Sequence, residues 1–275
     1  MAERTLRVCA LYPELMNIYA DRGNLLVLER RCLWRGIGFE LSAATLGDPL
    51  DPDAHDLVET KRDALRAAAA RGAVVLGVCG GYQLLGSSYA LGGEELPGVG
   101  LVDARTVREE GPRLIGNVAI EVDLDDRTSI VAGFENHGGR TYLGAGERAL
   151  GRVLRGNGNN GRDRGEGVRR GTVIGTYLHG PLLPKNTHVA DWLIATATKA
   201  PDLAPLDDAL ERAAHGEAEC AAGLDPRPAS SKPPSRTTTS GSRTSRASTG
   251  SPTSSWRRPR RRSAASRRAD GRDRR

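Results

Sequence analysis

Short apolar runs separated by polar and glycine-bearing stretches fill the first part of the chain, and their spacing predicts strands alternating with helices. Leu6-Arg7-Val8-Cys9-Ala10-Leu11 reads as a first strand that ends at the turn Tyr12-Pro13. From Asn24 to Arg35, Leu25, Leu28 and Cys32 recur at helical spacing until Gly36 and Gly38 stop the pattern. Phe39 to Ala44 fits a second strand, Asp56-Leu57-Val58 the start of a third, and Lys61 to Arg71 an alanine-rich helix closed by Gly72. Ala73 to Val78 is an unbroken apolar run, predicting a buried strand that delivers Cys79 into Gly80 and Gly81, with a helix starting at Tyr82. Such alternation predicts an α/β fold, a doubly wound and mostly parallel sheet flanked by helices, with its site at the C-terminal ends of the strands.

The second half changes character. Leu114 to Leu124 and Gly151 to Leu154 read as antiparallel strands, joined by glycine- and asparagine-rich loops such as Gly156-Asn157-Gly158-Asn159-Asn160-Gly161. Thr172 to Leu178 is a further strand that ends in His179-Gly180-Pro181, and Asp191 to Thr198 and Asp207 to Ala214 read as closing helices. Residues 1–224 therefore form one expected domain, with antiparallel additions in its second half. Residues 225–275 are almost without aliphatic side chains and too polar to offset the entropy of ordering, so they read as a disordered Arg/Ser/Pro-rich tail.

That tail changes the meaning of the charge. It holds 15 Lys and Arg against 3 Asp, so the net +6 of the whole chain conceals a mildly acidic body. No specific nucleic-acid partner follows from it; a nonspecific polyanion contact by the tail and an extension without function are both open. The four cysteines, Cys9, Cys32, Cys79 and Cys220, show no Cys-x-x-Cys spacing and no disulfide framework, which points to a reducing, cytoplasmic setting. The start of the chain has no signal-peptide core, and no apolar run reaches the roughly 18 residues of a membrane span.

Cys79 and His179, each at the end of a predicted strand in one sheet, suit nucleophilic acyl chemistry. The histidine takes the thiol proton, the thiolate attacks a carbonyl, and the imidazolium protonates the departing amine. The backbone N–H of Gly80, directly after the cysteine at a helix start, is the expected donor to the tetrahedral oxyanion, and the start of that helix favours thiolate. A small core cysteine followed by a flexible turn, beside a structural strand-end histidine, fits the local pattern equally well.

Longer motifs decide between these readings. Gly77-x-Cys79-x-Gly81-x-Gln83 followed by Thr176-Tyr177-Leu178-His179-Gly180-Pro181 resembles the class I, or triad, glutamine amidotransferases of the cobyric-acid-synthase-like branch, and in particular the GatD-like glutaminase subunits of lipid II isoglutaminyl synthase. Tyr12 to Asn24, Gly133 to Thr141, Gly156 to Asn160 and Gly180 to Asn186 recur in the same order, so the resemblance covers about residues 5 to 224. It implies that Cys79 forms a γ-glutamyl thioester with L-glutamine and that His179 serves as base and then acid. Arg113, in Pro112-Arg113-Leu114-Ile115-Gly116-Asn117, matches the arginine that holds the glutamine, and Gln83 is the second substrate-binding residue. Neither metal nor cofactor is implied on this chain. ATP and Mg are expected on a MurT-like Mur ligase partner, which would activate the D-glutamate of lipid II and receive the ammonia.

Two departures stand out. Other triad amidotransferases carry a glutamate two residues after the histidine; here that position is Pro181, so the acid behind the imidazole is expected from the partner. After Val58 the family continues into a Gly-Gly-Gly-Gln-Asp loop with the second oxyanion donor, whereas this chain passes directly to Glu59-Thr60-Lys61-Arg62. Losing one such donor costs on the order of 3 kcal/mol of transition-state stabilisation. A non-catalytic docking subunit and a cobyrinate-type amidotransferase subunit therefore stand as alternatives, while Glu135 and His137 read as loop-shaping or interface residues.

Overall fold

The computed structural model describes residues 4–11, 21–44, 62–91, 93–125 and 127–225. In the first part, β1 (Thr5–Leu11) and β2 (Gly38–Ala44) pair in parallel across α1 (Asp21–Leu33). α2 (Arg62–Ala70) leads into β3 (Val75–Val78), which passes through Cys79 into the short helix α3 (Gly80–Leu85). The strands β4 (Ser88–Leu91), β5 (Glu94–Pro97), β6 (Ala104–Arg108) and β9 (Gly139–Leu143) make one sheet in the order β5-β4-β6-β9. A second sheet, in the order β11-β10-β7-β8, is built from β7 (Leu114–Leu124), β8 (Arg127–His137), β10 (Gly151–Arg155) and β11 (Gly165–Glu166). Finally β12 (Val168–Arg170) and β13 (Val173–Thr176) join β3 in the order β12-β13-β3, and the helices α4 (Leu182–Lys185), α5 (Thr187–Ala197) and α6 (Ala209–Ala221) close the described chain.

The α/β fold expected from the sequence is present, with parallel pairs at β1–β2, β3–β13 and β4–β6 and antiparallel pairs at β4–β5, β6–β9, β7–β8, β7–β10, β10–β11 and β12–β13. Two hydrophobic layers cover the strands that carry the candidate site. Leu6 and Val8 of β1 and Ile174 of β13 pack with Leu28, Ile120 and Leu193; Cys9 and Val173 pack on the other side with Leu65, Val75 and Tyr82. Burial on both faces explains why β13 is apolar or small at every position rather than alternating.

Several boundaries move. The helix after Cys79 begins at Gly80 rather than Tyr82. The closing helices run Thr187–Ala197 and Ala209–Ala221, the first starting four residues earlier and the second ending seven residues later than predicted. Asn186, directly before α5, accepts a side-chain bond from Ala132 N (2.9 Å) and donates to Ala132 O and Leu182 O (2.8 Å each), which ties the start of the helix to β8. The predicted strand at Asp56–Val58, the junction after Val58, Tyr12 to Ala20 and the tail from Pro226 lie outside the described residues. Among those described, no helix is long and apolar enough to cross a membrane.

Arg31 anchors α1 to the C-terminal helices. It is 1% exposed and forms paired hydrogen bonds to both oxygens of Asp191 (2.6 and 2.7 Å) and of Asp208 (2.7 and 2.9 Å), while Arg35 reaches Asp191 at 2.8 Å. Removing one partner of such a network leaves charges buried without compensation, which typically costs about 3–5 kcal/mol. Arg31→Ala is expected to lower unfolding free energy by that order in a urea titration of the full chain, and a loss below about 1 kcal/mol would contradict this role.

Candidate active site

The turn at Cys79 is shaped by packing. Gly77 of β3 lies opposite Gly175 of β13. A Cβ on Gly77 would meet Leu85 Cδ1 at 2.7 Å, and one on Gly175 would meet Tyr82 Cδ2 at 2.1 Å. The two glycines therefore let α3 lie directly on the strand pair, which forces an abrupt strand-to-helix turn. Cys79 stands at that turn with φ 54° and ψ −107°, a conformation unfavourable for a side chain bearing a Cβ and typical of a presented nucleophile. Its N–H donates to Thr176 O at 2.8 Å, continuing the β3–β13 ladder by one bond. Cys9 and Cys32 are core residues, and burial pushes the Cys32 thiol up to about 11; Cys79 alone of the three is partly exposed.

His179 follows the end of β13, so the parallel register Thr176↔Val78 brings it to the same edge as Cys79. Its backbone is fixed by a two-way pair with Phe134: Phe134 N donates to His179 O (3.1 Å) and His179 N to Phe134 O (2.9 Å). The imidazole is 4% exposed, with the Phe134 ring edge-on at 5.9 Å. Burial, then the neighbouring His137 and Lys185, lower its pKa, and Glu135 opposes them. A neutral ring at neutral pH is the form that accepts a thiol proton.

Phe134 and Asn136 project from one face of β8, and Asn136 holds Arg113. Arg113 Nε donates to Asn136 Oδ1 (2.9 Å) and Nη2 to Asn136 O (2.8 Å). The guanidinium therefore sits on the same strand as the histidine contact, roughly 7 Å further along it. The loop before Arg113 is stapled by buried Arg140, which donates to Pro112 O (2.7 Å) and Gly138 O (3.2 Å). Gly80 is the first residue of α3, where N–H groups lack intrahelical acceptors. Gln83, one turn on from Cys79, donates from Nε2 to Tyr177 OH (3.1 Å), so its amide braces the helix against the segment that carries His179.

Residues that sequence reasoning did not assign to the site surround Tyr177. Its hydroxyl bonds to Thr141 Oγ1 (2.6 Å), which bonds to Thr106 Oγ1 (2.8 Å), and its ring stacks on His137 at 3.6 Å and 4°. His137 Nδ1 lies 2.9 Å from Gly139 O, and its buried Nε2 makes no hydrogen bond among the described residues but lies 3.8 Å from Glu135 Oε2. Glu135 accepts bonds from Asn157 N, Asn157 Nδ2 and Gly158 N (2.7, 2.7 and 2.9 Å), which explains the glycine- and asparagine-rich loop. Both residues are loop-shaping as expected, but at 0% and 2% exposure they are interior rather than interface groups. Only the wider Gly133–Thr141 motif hinted at them. Among the described residues, no group of three or more His, Cys, Asp and Glu is placed to hold a metal ion.

Glu166 had no sequence signal at all. It is fully buried beneath the histidine strand, accepting from Tyr177 N (2.7 Å) and Thr176 Oγ1 (3.1 and 3.0 Å). Burial pushes its carboxyl up to about 8, against the hydrogen bonds from Tyr177 and Thr176 that favour the anion. The folded chain then retains a proton that the unfolded chain releases above about 4.5, so this group's stabilisation is complete below that pH and is lost as pH rises through about 8. In urea titrations across this window Glu166→Gln is expected to lose less stability with rising pH than the unsubstituted chain; identical slopes would contradict the assignment.

Comparisons with known proteins agree with this geometry. The CobB/CobQ-like glutamine amidotransferase domain matches residues 7–187. The chain is similar to the GatD subunit of the glutamine-hydrolysing lipid II isoglutaminyl synthase of Streptococcus pneumoniae, at 34% identity over 70% of this chain and 81% of that protein. The Staphylococcus aureus GatD subunit is 36% identical, over 70% of this chain and 84% of that one. Among solved structures, PurLQS from Thermotoga maritima superposes with a TM-score of 0.50 at 18% identity, covering 72% of this chain and 99% of that one, a likeness of fold. An elbow cysteine, a strand-end histidine and a family domain spanning both agree: the chain belongs to the CobB/CobQ-like glutamine amidotransferases.

Proposed function

We propose that this chain is the glutaminase subunit of a two-protein amidotransferase that amidates the D-glutamate of the lipid II stem peptide to D-isoglutamine. Cys79 attacks the side-chain carbonyl of L-glutamine while neutral His179 takes the thiol proton, and the Gly80 N–H meets the developing oxyanion. The imidazolium then protonates the departing ammonia, leaving a γ-glutamyl thioester that a water molecule, activated by the same histidine, hydrolyses to glutamate. Arg113 pairs with the substrate α-carboxylate.

The observation that carries this reading is the bond from Cys79 N to Thr176 O, which locks nucleophile and histidine strands into one edge. The range of similarity supports the lipid II assignment, since the chain spans 81% and 84% of two GatD subunits. The ammonia acceptor would be activated with ATP and Mg on a MurT-like Mur ligase partner. With Pro181 in place of a local glutamate, orientation of His179 is completed by a carboxylate of that partner, which makes glutamine hydrolysis depend on complex formation. The direct passage from Val58 to Glu59-Thr60-Lys61-Arg62 favours a second reading, a non-catalytic subunit that docks on the ligase. A cobyrinate-type acceptor is distinguished by supplying the purified complex with either substrate.

Glutamate release by the co-purified complex separates the first two readings. Cys79→Ala is expected to lose at least about 10³-fold in kcat, and equal rates for the two proteins would sink the enzymatic reading. Since the His179 pKa in the chain alone lies below its ordinary 6.5, NMR titration of the isolated subunit is expected to show the ring charging only below that pH. A midpoint above pH 7 in the isolated subunit would contradict a buried, uncharged imidazole.

A further inference from the structure

Three arginines meet at the turn His137-Gly138-Gly139. Arg108 is the last residue of β6 and lies opposite Gly139, the first residue of β9. Arg113 precedes β7, whose first residue, Leu114, lies opposite His137. Both side chains lean over the same point: a Cβ on Gly138 would stand 2.8 Å from Arg108 Nη1 and 3.4 Å from Arg113 Nη1. Glycine at 138 thus leaves room for two guanidinium heads side by side. Arg113 commits Nε and Nη2 to Asn136, which leaves its Nη1 edge turned toward Arg108. Arg140, the third, binds the turn's own carbonyl from below.

Among the described residues no carboxylate lies within ion-pairing distance of any of the three. The contrast with their surroundings is sharp, because Arg105, Arg152, Arg162, Arg169 and Arg170 are each paired with an acid. Arg108 and Arg113 are exposed, so their head groups are open to a dissolved anion, and planar guanidinium forks match a carboxylate. The turn also adjoins the nucleophile's helix, since a Cβ on Gly139 would lie 2.7 Å from Gln83 Nε2.

We propose that Arg108 is the second arm of a two-arginine clamp, with Arg113, for the α-carboxylate of the amide substrate, and so determines specificity for a free amino acid over an amide lacking that carboxylate. This rests on the glutaminase reading, which anticipates Arg113 alone. The probes are L-glutamine and L-glutaminamide, the latter with an amide in place of the α-carboxylate, offered to the complete complex with its ligase partner. Arg108→Gln is expected to raise KM for L-glutamine by about 10-fold, the loss of one charge-assisted hydrogen-bonded contact, with kcat nearly unchanged. Arg108→Lys recovers part of the loss, and KM for L-glutaminamide does not move.

Unchanged KM for L-glutamine in Arg108→Gln, or an equal rise for both substrates, overturns the clamp. Calorimetric binding of L-glutamine to the Cys79→Ala complex, with and without Arg108→Gln, reads the clamp without turnover. An inactive Cys79 complex whose Cys79→Ala form still binds L-glutamine through Arg108 overturns the glutaminase reading and leaves the clamp standing. An active complex with Arg108-independent binding overturns the clamp and leaves the glutaminase. Failure of the Cys79→Ala complex to bind L-glutamine overturns the clamp as well.

Discussion

The parallel pairing of β3 with β13 is the constraint on which the site depends. Gly77 opposite Gly175 leaves a shallow trough in an otherwise apolar sheet, and Tyr82 and Leu85 of α3 fill it. Because the helix must enter the trough directly from the strand, the intervening residue takes a positive φ, and that residue is Cys79. The same ladder ends three residues short of His179, so one register sets both the height of Cys79 and the height of His179. A methyl group on either glycine would lift the helix and separate the two. Hydrophobic burial on both sides of β13 supplies the force that keeps the pair closed.

Around this pair the interior is polar, with several ionisable groups. Tyr177 touches Gln83 from α3, Thr141 from β9 and His137 from β8, so one side chain connects the elements next to Cys79, His179 and the arginines. Buried polar groups are costly when unpaired and rigid when satisfied, and nearly all of these are satisfied. Glu166 holds the strand below the histidine, Glu135 holds the loop behind it, and Asn159 links Tyr82 to Gly167. The imidazole of His179 thus sits in surroundings that disfavour its charge.

Arginine serves three different purposes in the chain. Arg31 is buried among aspartates and joins helices. Arg140 is buried among carbonyls and fixes a turn. Arg108 and Arg113 have no acid beside them among the described residues, which is the condition under which a guanidinium is available to a ligand. Composition and net charge cannot distinguish these cases, because the distinction lies in what each head group faces.

Much of the scaffold was legible along the chain. Strand and helix order, the elbow cysteine and the strand-end histidine follow from local signals, apolar periodicity and glycines flanking a cysteine, whereas Arg113 is singled out only by the family resemblance. What local signals could not carry was anything that depends on two distant segments meeting. Glu166 is an ordinary acid between two glycines until β11 places it under Thr176 and Tyr177. Asn24 resembles a helix-start residue until its side chain accepts the Leu183 N–H at 2.8 Å, beside the segment that follows His179. Arg108 is one arginine among many until Gly138 brings it beside Arg113. By itself, the sequence determined which residues have the chemistry and where along their own elements they stand. Tertiary structure alone decided which of them are buried, which are paired and which face one another, because desolvation and Coulomb energy depend on separation in space rather than along the chain.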